Sequence, residues 1–163
     1  CVLMIDLDRF KSINDALGHA AGDDTLRRFT ALVGPHLREY DFFARLGGEE
    51  FAVLLPDATE DVALAIAERL RELTEAERLP APGFAVPTTV SIGAAQLLGG
   101  ELAIDPLMHR ADQALYAAKS GGRNRVVAAS WLNETALHET ASASVTSGTD
   151  AAPAGLTLQA EGK

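Results

Sequence analysis

The chain opens on an unbroken apolar run, Cys1-Val2-Leu3-Met4-Ile5, that ends on Asp6-Leu7-Asp8. With no polar residue alternating into it, Val2 to Ile5 predicts a strand buried on both faces. Two helices follow, Arg9 to Leu17 and Asp23 to Leu37, the second with Leu26, Phe29, Leu32 and Val33 on one face. Asp41 to Leu46 and Glu50 to Leu55 are strand-like runs joined at Gly47-Gly48, a hairpin signal. Asp57 to Ala76 carries a helical stripe of Val62, Ile66, Leu70 and Leu73, and Asp57-x-x-Glu60 predicts its capping pair. Thr88 to Ala94 reads as a strand. Asp105-Pro106 reads as the cap and first-turn residue of another helix, and Arg125 to Ala129 as a last short strand. The order β-α-α-β-β-α-β-α-β predicts an α/β (α+β) sandwich. Its sheet of about five strands, mixed or antiparallel and with at least one antiparallel hairpin, is flanked by helices.

The texture changes near Val127. Residues 129–163 are expected to form a largely disordered tail, most clearly Thr140 to Ala154, TASASVTSGTDAAPA, which has almost nothing to bury against its ordering entropy. Trp131 and Leu132 are expected to pack back on the domain. The 163 residues, 47% of them apolar, suffice for one domain with a real core. A net charge of −9 argues against a nucleic-acid backbone or an anionic membrane surface as the partner. No apolar run approaches the ~20 residues that span a bilayer, and no secretory signal opens the chain. A lone cysteine, Cys1, excludes an intrachain disulfide. These features predict a soluble and, most simply, intracellular domain. Because the first residue is Cys inside an apolar run, the chain reads as a piece of a longer protein.

Three clusters carry candidate chemistry. Asp6 and Asp8 stand where a buried strand leaves the sheet, a place from which carboxylates reach a ligand crevice and can hold Mg²⁺; an isolated D-x-D is equally a loop start or a helix cap. Gly47-Gly48 at a hairpin tip lets the backbone approach an anion, and Glu49 and Glu50 follow at once. One of those glutamates, pointing the same way as Asp6, would complete a carboxylate site. The alternative is an ordinary turn with a solvated acidic shoulder. Lys119 and Arg123 flank a Gly-Gly break and could clamp a polyphosphate, although a basic last turn before Gly is also how many helices end. Metal-holding acids, glycines and a basic pair together are the parts of Mg-dependent phosphoryl or nucleotidyl transfer.

At these residues the chain closely resembles a known family. The stretch from Asp6 to Asp23, DLDRFKSINDALGHAAGD, followed by RLGGEEF ending at Phe51, resembles the GGDEF family of diguanylate cyclases, in its active GGEEF form. The resemblance runs over about residues 1–128. It implies a fold related to class III nucleotide cyclases and the joining of two GTP into cyclic di-GMP with release of two pyrophosphates. It further implies that Asp6, Glu49 and the Leu7 carbonyl hold Mg²⁺ (or Mn²⁺). Glu49 would also help deprotonate the attacking 3′-hydroxyl, and Glu50 would support the metal site. Asn14 and Asp23 would read the guanine edge, with His19 in the same stretch. Lys11, Lys119 and Arg123 would hold the phosphates.

Arg38-Glu39-Tyr40-Asp41 ends five residues short of Gly47. In the resembled family R-x-x-D at that offset is a product-inhibition site for cyclic di-GMP, and Arg69 matches a second arginine that joins it. The alternative is a surface i,i+3 salt bridge on a helix end, worth only tenths of a kcal/mol. The symmetric product requires two domains face to face, so the resemblance implies a homodimer for turnover. The family's usual helical segment before the first strand, ending in a D-x-L-T-G-L-x-N-R-like motif, does not precede Cys1, and an upstream sensor or dimerisation module is expected in the parent protein. A non-catalytic GTP or cyclic di-GMP receptor is the competing reading; an intact signature weighs against it. A class III mononucleotide cyclase is a third, opposed by the GGEEF hairpin and the R-x-x-D offset.

Overall fold

A computed structural model describes residues 1–77 and 88–132. Its centre is β1 (Val2–Leu7), all six residues of which are buried. The unbroken apolar run does this because both faces of the strand are covered. Leu3, Ile5 and Leu7 point into one core with Ile13, Phe29, Phe51 and Val53. Val2 and Met4 point into the other with Leu107, Ala111 and Leu115. The strand expected over Val2 to Ile5 thus runs two residues further and carries Asp6 within it.

Two helices, α1 (Phe10–Leu17) and α2 (His19–Val33), follow β1, and the chain returns as the hairpin β2 (Phe42–Gly47) and β3 (Glu50–Leu54). Then come α3 (Glu60–Glu77), β4 (Val90–Ala95), α4 (Ile104–Ser120) and β5 (Val126–Ala128). The five-stranded sheet has the order β2-β3-β1-β4-β5. β1 is antiparallel to both neighbours, β2–β3 is the expected antiparallel hairpin, and β4–β5 is parallel, so the sheet is mixed. Helices lie on both faces, as the element order predicts. On one, Phe29, Phe43 and Phe51 pack with centroids 4.9–6.3 Å apart, joining α2 to the hairpin. On the other, α4 lies against β4 so closely that a Cβ on Gly93 would stand 2.1 Å from the Ala111 carbonyl oxygen.

Five local expectations are corrected. The second helix begins at His19, not Asp23, so Asp23 lies inside it; Gly18, at φ 83°, makes the break between α1 and α2. That helix ends at Val33, and a 3₁₀ turn over Gly34–His36 with Pro35 in its first turn replaces the last helical turn expected up to Leu37. Asp57 does not cap α3: it sits at φ 52°, and Thr59 accepts the Val62 N–H instead. The α3 stripe is turned by one residue, burying Ala63, Ala67, Leu70 and Thr74 while Val62 is exposed. Finally Ala103, not Asp105, is the N-cap of α4, which leaves Asp105 and Pro106 inside its first turn.

After β5 the chain turns helical at Ala129, which is buried; Leu132 packs on the α4-side core and Trp131 is about half exposed. The disorder expected along the tail falls, from residue 133 onward, outside the described residues. Among the described residues no helix is long and apolar enough to cross a membrane.

Candidate active site

Three elements end at one place on the sheet. β1 delivers Asp6, the β2–β3 tip delivers Glu49 and Glu50, and the last turn of α4 delivers Lys119. The Leu7 N–H donates to the Glu49 carbonyl at 3.2 Å, which fixes the hairpin tip beside the end of β1. Asp6 faces Glu50 across the β1–β3 ladder and Ser91 across the β1–β4 ladder. The tip is shaped by Gly48 at φ 51° and by a register shift between Arg45 and Gly47. Arg45 Nε donates to the Gly48 carbonyl at 3.0 Å and braces that turn.

Asp6 is buried, and its carboxyl is pushed up to about 6. Burial is the largest cause, the Lys119 hydrogen bond and charge oppose it, and the nearby Glu49 and Asp8 carboxylates add to it. The Lys119 ammonium lies 2.6 Å from Asp6 Oδ2. Mutual repulsion among acids held by strands is what a cation relieves, and the donors here are hard oxygens. Among the described residues no three His, Cys, Asp or Glu side chains form a metal cage. Two carboxylates with a backbone carbonyl instead suit Mg²⁺, which keeps water and phosphate oxygens in its shell. Asp6 and Glu49, whose carboxylates are near enough to act on each other, offer donors of that kind.

The expected base-reading residues lie on α1 and α2. Asn14 is half-buried, and a Cβ on Gly22 would stand 2.0 Å from Asn14 Oδ1; only glycine lets α2 approach the Asn14 amide. Asp23 follows directly and lines a cleft of about 580 Å³ with Leu26, Arg27, Thr30 and Arg45. His19 and Lys11 are exposed, on the first residue of α2 and on α1. Arg123, at φ 67°, places Nε 4.0 Å from Asp8 Oδ1.

The R-x-x-D residues sit elsewhere, in the turn between the 3₁₀ segment and β2. The expected alternative of an Arg38–Asp41 salt bridge is not what forms. The Arg38 backbone N–H donates to Asp41 Oδ2 at 2.8 Å, and the Arg38 guanidinium lies 5.7 Å from the Tyr40 ring centroid. Asp41 Oδ1 is buried with no hydrogen-bond partner. Arg69, on α3, donates to the His36 carbonyl and so reaches the same turn.

Some site residues escaped the sequence reading. Arg45, two residues before Gly47, belongs to the signature string without a role assigned from it. Gly22 has a signal, its place immediately before Asp23, but the reason for it is a contact with α1. Asn124, whose side chain bonds Arg71 and Glu75 and whose N–H bonds Asp8, has no local signal.

Comparison with known proteins agrees with this geometry. Residues 1–125 match the family model described as diguanylate cyclase, GGDEF domain. The chain is 41% identical over 135 residues to the probable diguanylate cyclase DgcT of Escherichia coli (strain K12), covering 82% of this chain and 30% of that protein. It is 42% identical over 125 residues to diguanylate cyclase A of Treponema denticola, covering 77% and 34%. The chain thus spans about a third of the length of these curated relatives. The crystal structure of the GGDEF domain of DgcB from Caulobacter crescentus in complex with c-di-GMP superposes with a TM-score of 0.74 at 38% identity, covering 80% of this chain and 77% of that one. With the GGEEF tip, the strand-end carboxylate and the basic turn of α4 in one place, this chain belongs to the GGDEF-domain family of diguanylate cyclases.

Proposed function

We propose that this domain condenses two GTP into cyclic di-GMP, releasing two pyrophosphates, as half of a homodimeric active site in the cytoplasm. The observation that carries the reading is the meeting of Asp6, Glu49 and Lys119 at one sheet end. Their carboxylates are close enough to act on each other, and the lysine is 2.6 Å from Asp6. Asp6, Glu49 and the Leu7 carbonyl would hold Mg²⁺, or Mn²⁺ in its place, with Glu50 supporting them. When bound, the cation lowers the pKa of the 3′-hydroxyl and neutralises charge on the α-phosphate.

The chain's own residues do the rest. Asn14 and Asp23 read the guanine edge, beside His19, and a wrong base leaves their polar groups unpaired. Lys11, Lys119 and Arg123 neutralise the phosphates, and Gly47-Gly48 admits them to the backbone. Glu49 accepts the proton of the attacking 3′-hydroxyl. That oxygen bonds the partner nucleotide's α-phosphorus as the bond to the pyrophosphate oxygen breaks, and Lys119 and Arg123 take up the charge of the leaving group. One domain presents one GTP, so both bonds form only when two domains face each other. Arg38, Asp41 and Arg69 form a separate product-binding site through which cyclic di-GMP inhibits. The buried, unpartnered Asp41 Oδ1 supports that reading, since a guanine N–H would satisfy it.

The test is a product assay with chromatography and mass detection, over a range of protein concentrations, with GTP and Mg²⁺. Cyclic di-GMP rising more than linearly with protein, and lost in Glu49→Gln, is the expected result. Silence both in this chain and in one lengthened upstream and joined to a dimeric helix would sink the reading.

A further inference from the structure

The D-x-D pair at the end of β1 serves two different neighbours. Asp6 meets Lys119, whereas Asp8 is 3% exposed and turned to a different set of donors. The Ser91 hydroxyl donates to Asp8 Oδ1 at 2.7 Å, and the Thr89 hydroxyl donates to Oδ2 at 2.7 Å. The Asn124 backbone N–H, 116 residues away in the chain, donates to Oδ2 at 3.0 Å. Arg123 Nε stands 4.0 Å from Oδ1. Buried and saturated in this way, Asp8 is not placed to bind a ligand itself; a free carboxylate there would oppose phosphate.

The Gly121–Asn124 turn is what Asp8 holds, and its conformation requires holding. Arg123 and Asn124 are consecutive non-glycine residues at φ 67° and 46°; Asn tolerates the left-handed region, but Arg there, and two such residues in a row, are strained unless held. Arg125 fills the space beside Gly121, where a Cβ would stand 2.9 Å from its Nη1. The Asn124 side chain is tied to Arg71 and Glu75 on α3. Asp8 supplies the anchor on the side of the active site.

We infer that Asp8 is a positioning residue for the polyphosphate end of the nucleotide, holding the turn after α4 so that Arg123 is presented beside Lys119. The inference rests on the proposed GTP reading and adds to it a residue that touches no substrate. Asp8 then acts only through Arg123, and its effect is confined to ligands that carry the β- and γ-phosphates.

The test compares dissociation constants of GMP and of the α,β-methylene analogue of GTP, which cannot release pyrophosphate, by calorimetry with Mg²⁺. In Asp8→Ala the preference for the triphosphate should fall about tenfold, the loss of a charge-assisted contact, with GMP affinity unchanged. Arg123→Ala should do the same, and the double variant should be no worse than Arg123→Ala alone. Asp8→Asn should recover most of the preference, because its amide oxygen can face the Asn124 N–H while the Ser91 hydroxyl turns to accept. Asn124→Gly, which keeps the N–H and the left-handed turn but loses the bonds to Arg71 and Glu75, should lose less than Asp8→Ala. If Asp8→Ala does not fold, Thr89→Val decides, with an expected fall of about threefold. Equal weakening of GMP and the analogue, additive effects of Asp8→Ala and Arg123→Ala, an unchanged preference in Thr89→Val, or a loss in Asn124→Gly as large as in Asp8→Ala overturns the inference. Wild-type protein that prefers GMP, or binds neither, removes the proposed function along with it. Sensitivity to Arg123→Ala with an indifferent Asp8→Ala removes Asp8 alone.

Discussion

Lys119 Nζ lies 2.6 Å from Asp6 Oδ2, across 113 residues of chain, and ties the last turn of α4 to the end of β1. One residue of the pair is the expected phosphate ligand and the other the expected metal ligand. The contact therefore links the electrostatics of both sites.

The first prediction concerns pH. The Asp6 carboxyl titrates at about 6 in the folded domain against 3.8 for the ordinary group. A carboxyl raised by folding contributes stability that is fully present below the lower value and is lost as pH rises through the upper one. Relative to Asp6→Asn, the metal-free wild type should lose thermal stability between about pH 4 and 6. Saturating Mg²⁺ should restore it above pH 6. Cation affinity runs the other way and falls as pH drops through about 6, because the ligand must be ionised. Removing the lysine charge in Lys119→Met should move that acid limb upward by about one unit. A Mg²⁺ titration followed by melting temperature at each pH measures both effects. A wild-type minus Asp6→Asn difference that stays flat from pH 4 to 7 would show that Asp6 is not raised.

A second prediction follows from Gly22. An added Cβ would stand 2.0 Å from Asn14 Oδ1 and 3.1 Å from the Phe10 ring, so Gly22→Ala must displace the amide proposed to read guanine. The overpacking should cost about 1–3 kcal/mol of stability, measured by urea unfolding. Discrimination between GTP and ATP should fall by more than about tenfold, since the site would no longer pair the base edge. A variant that is destabilised yet discriminates as well as the wild type would detach Asn14 from base recognition.

What the sequence made legible was the short-range pattern. The apolar run of β1, the Gly-Gly hairpin and the order of elements each depend on neighbours within a few residues, and each appears in the fold. The misplaced boundaries share one cause, competition between two plausible local signals. Asp23 marks a plausible helix start, but Gly18 already breaks the chain and α2 starts at His19. Asp57 looked like a cap, but Thr59 is nearer the first turn of α3. The largest residues of α3 suggest one stripe, whereas close packing at the sheet buries Ala63 and Ala67. Within the site, the ends of the motifs were visible, but Asp8, Asn124 and Gly22 owe their placement to contacts 8 to 116 residues away. Nothing in a local window carries those.

The third prediction tests the α4–sheet contact that sets Lys119 in place. Gly93 lies at the middle of β4, and a Cβ there would stand 2.1 Å from the Ala111 carbonyl and 2.2 Å from the Leu115 nitrogen. Both are helix backbone, which no rotamer change can move. Gly93→Ala should therefore push α4 off the sheet and destabilise the domain by about 3 kcal/mol or more, at the upper end of overpacking costs. Denaturant unfolding reads this directly. A change below about 0.5 kcal/mol, typical of a surface substitution, would mean that α4 can shift freely.

The last prediction separates product binding from turnover. Arg38 is exposed, and its guanidinium bonds and lies over Tyr40 of its own turn, so Arg38→Ala should alter stability by no more than about 0.5 kcal/mol. Cyclic di-GMP affinity should nevertheless fall at least about tenfold, the worth of a bidentate contact to phosphate or guanine. Asp41→Asn is the sharper case. Either orientation of the amide changes what the two oxygens offer. With the amide nitrogen in the place of Oδ1, the Arg38 N–H keeps its acceptor, but the buried position now presents a donor to guanine donors. With the nitrogen in the place of Oδ2, the bond to the Arg38 N–H is lost. Cyclic di-GMP binding should weaken in both cases, while affinity for the methylene analogue of GTP stays at the wild-type value because the turn lies away from the β1 end. Progress curves should then start at the same rate and run to a higher product level. Loss of GTP-analogue binding alongside cyclic di-GMP binding would instead mean that the two sites are one, and the R-x-x-D turn would lose its separate role.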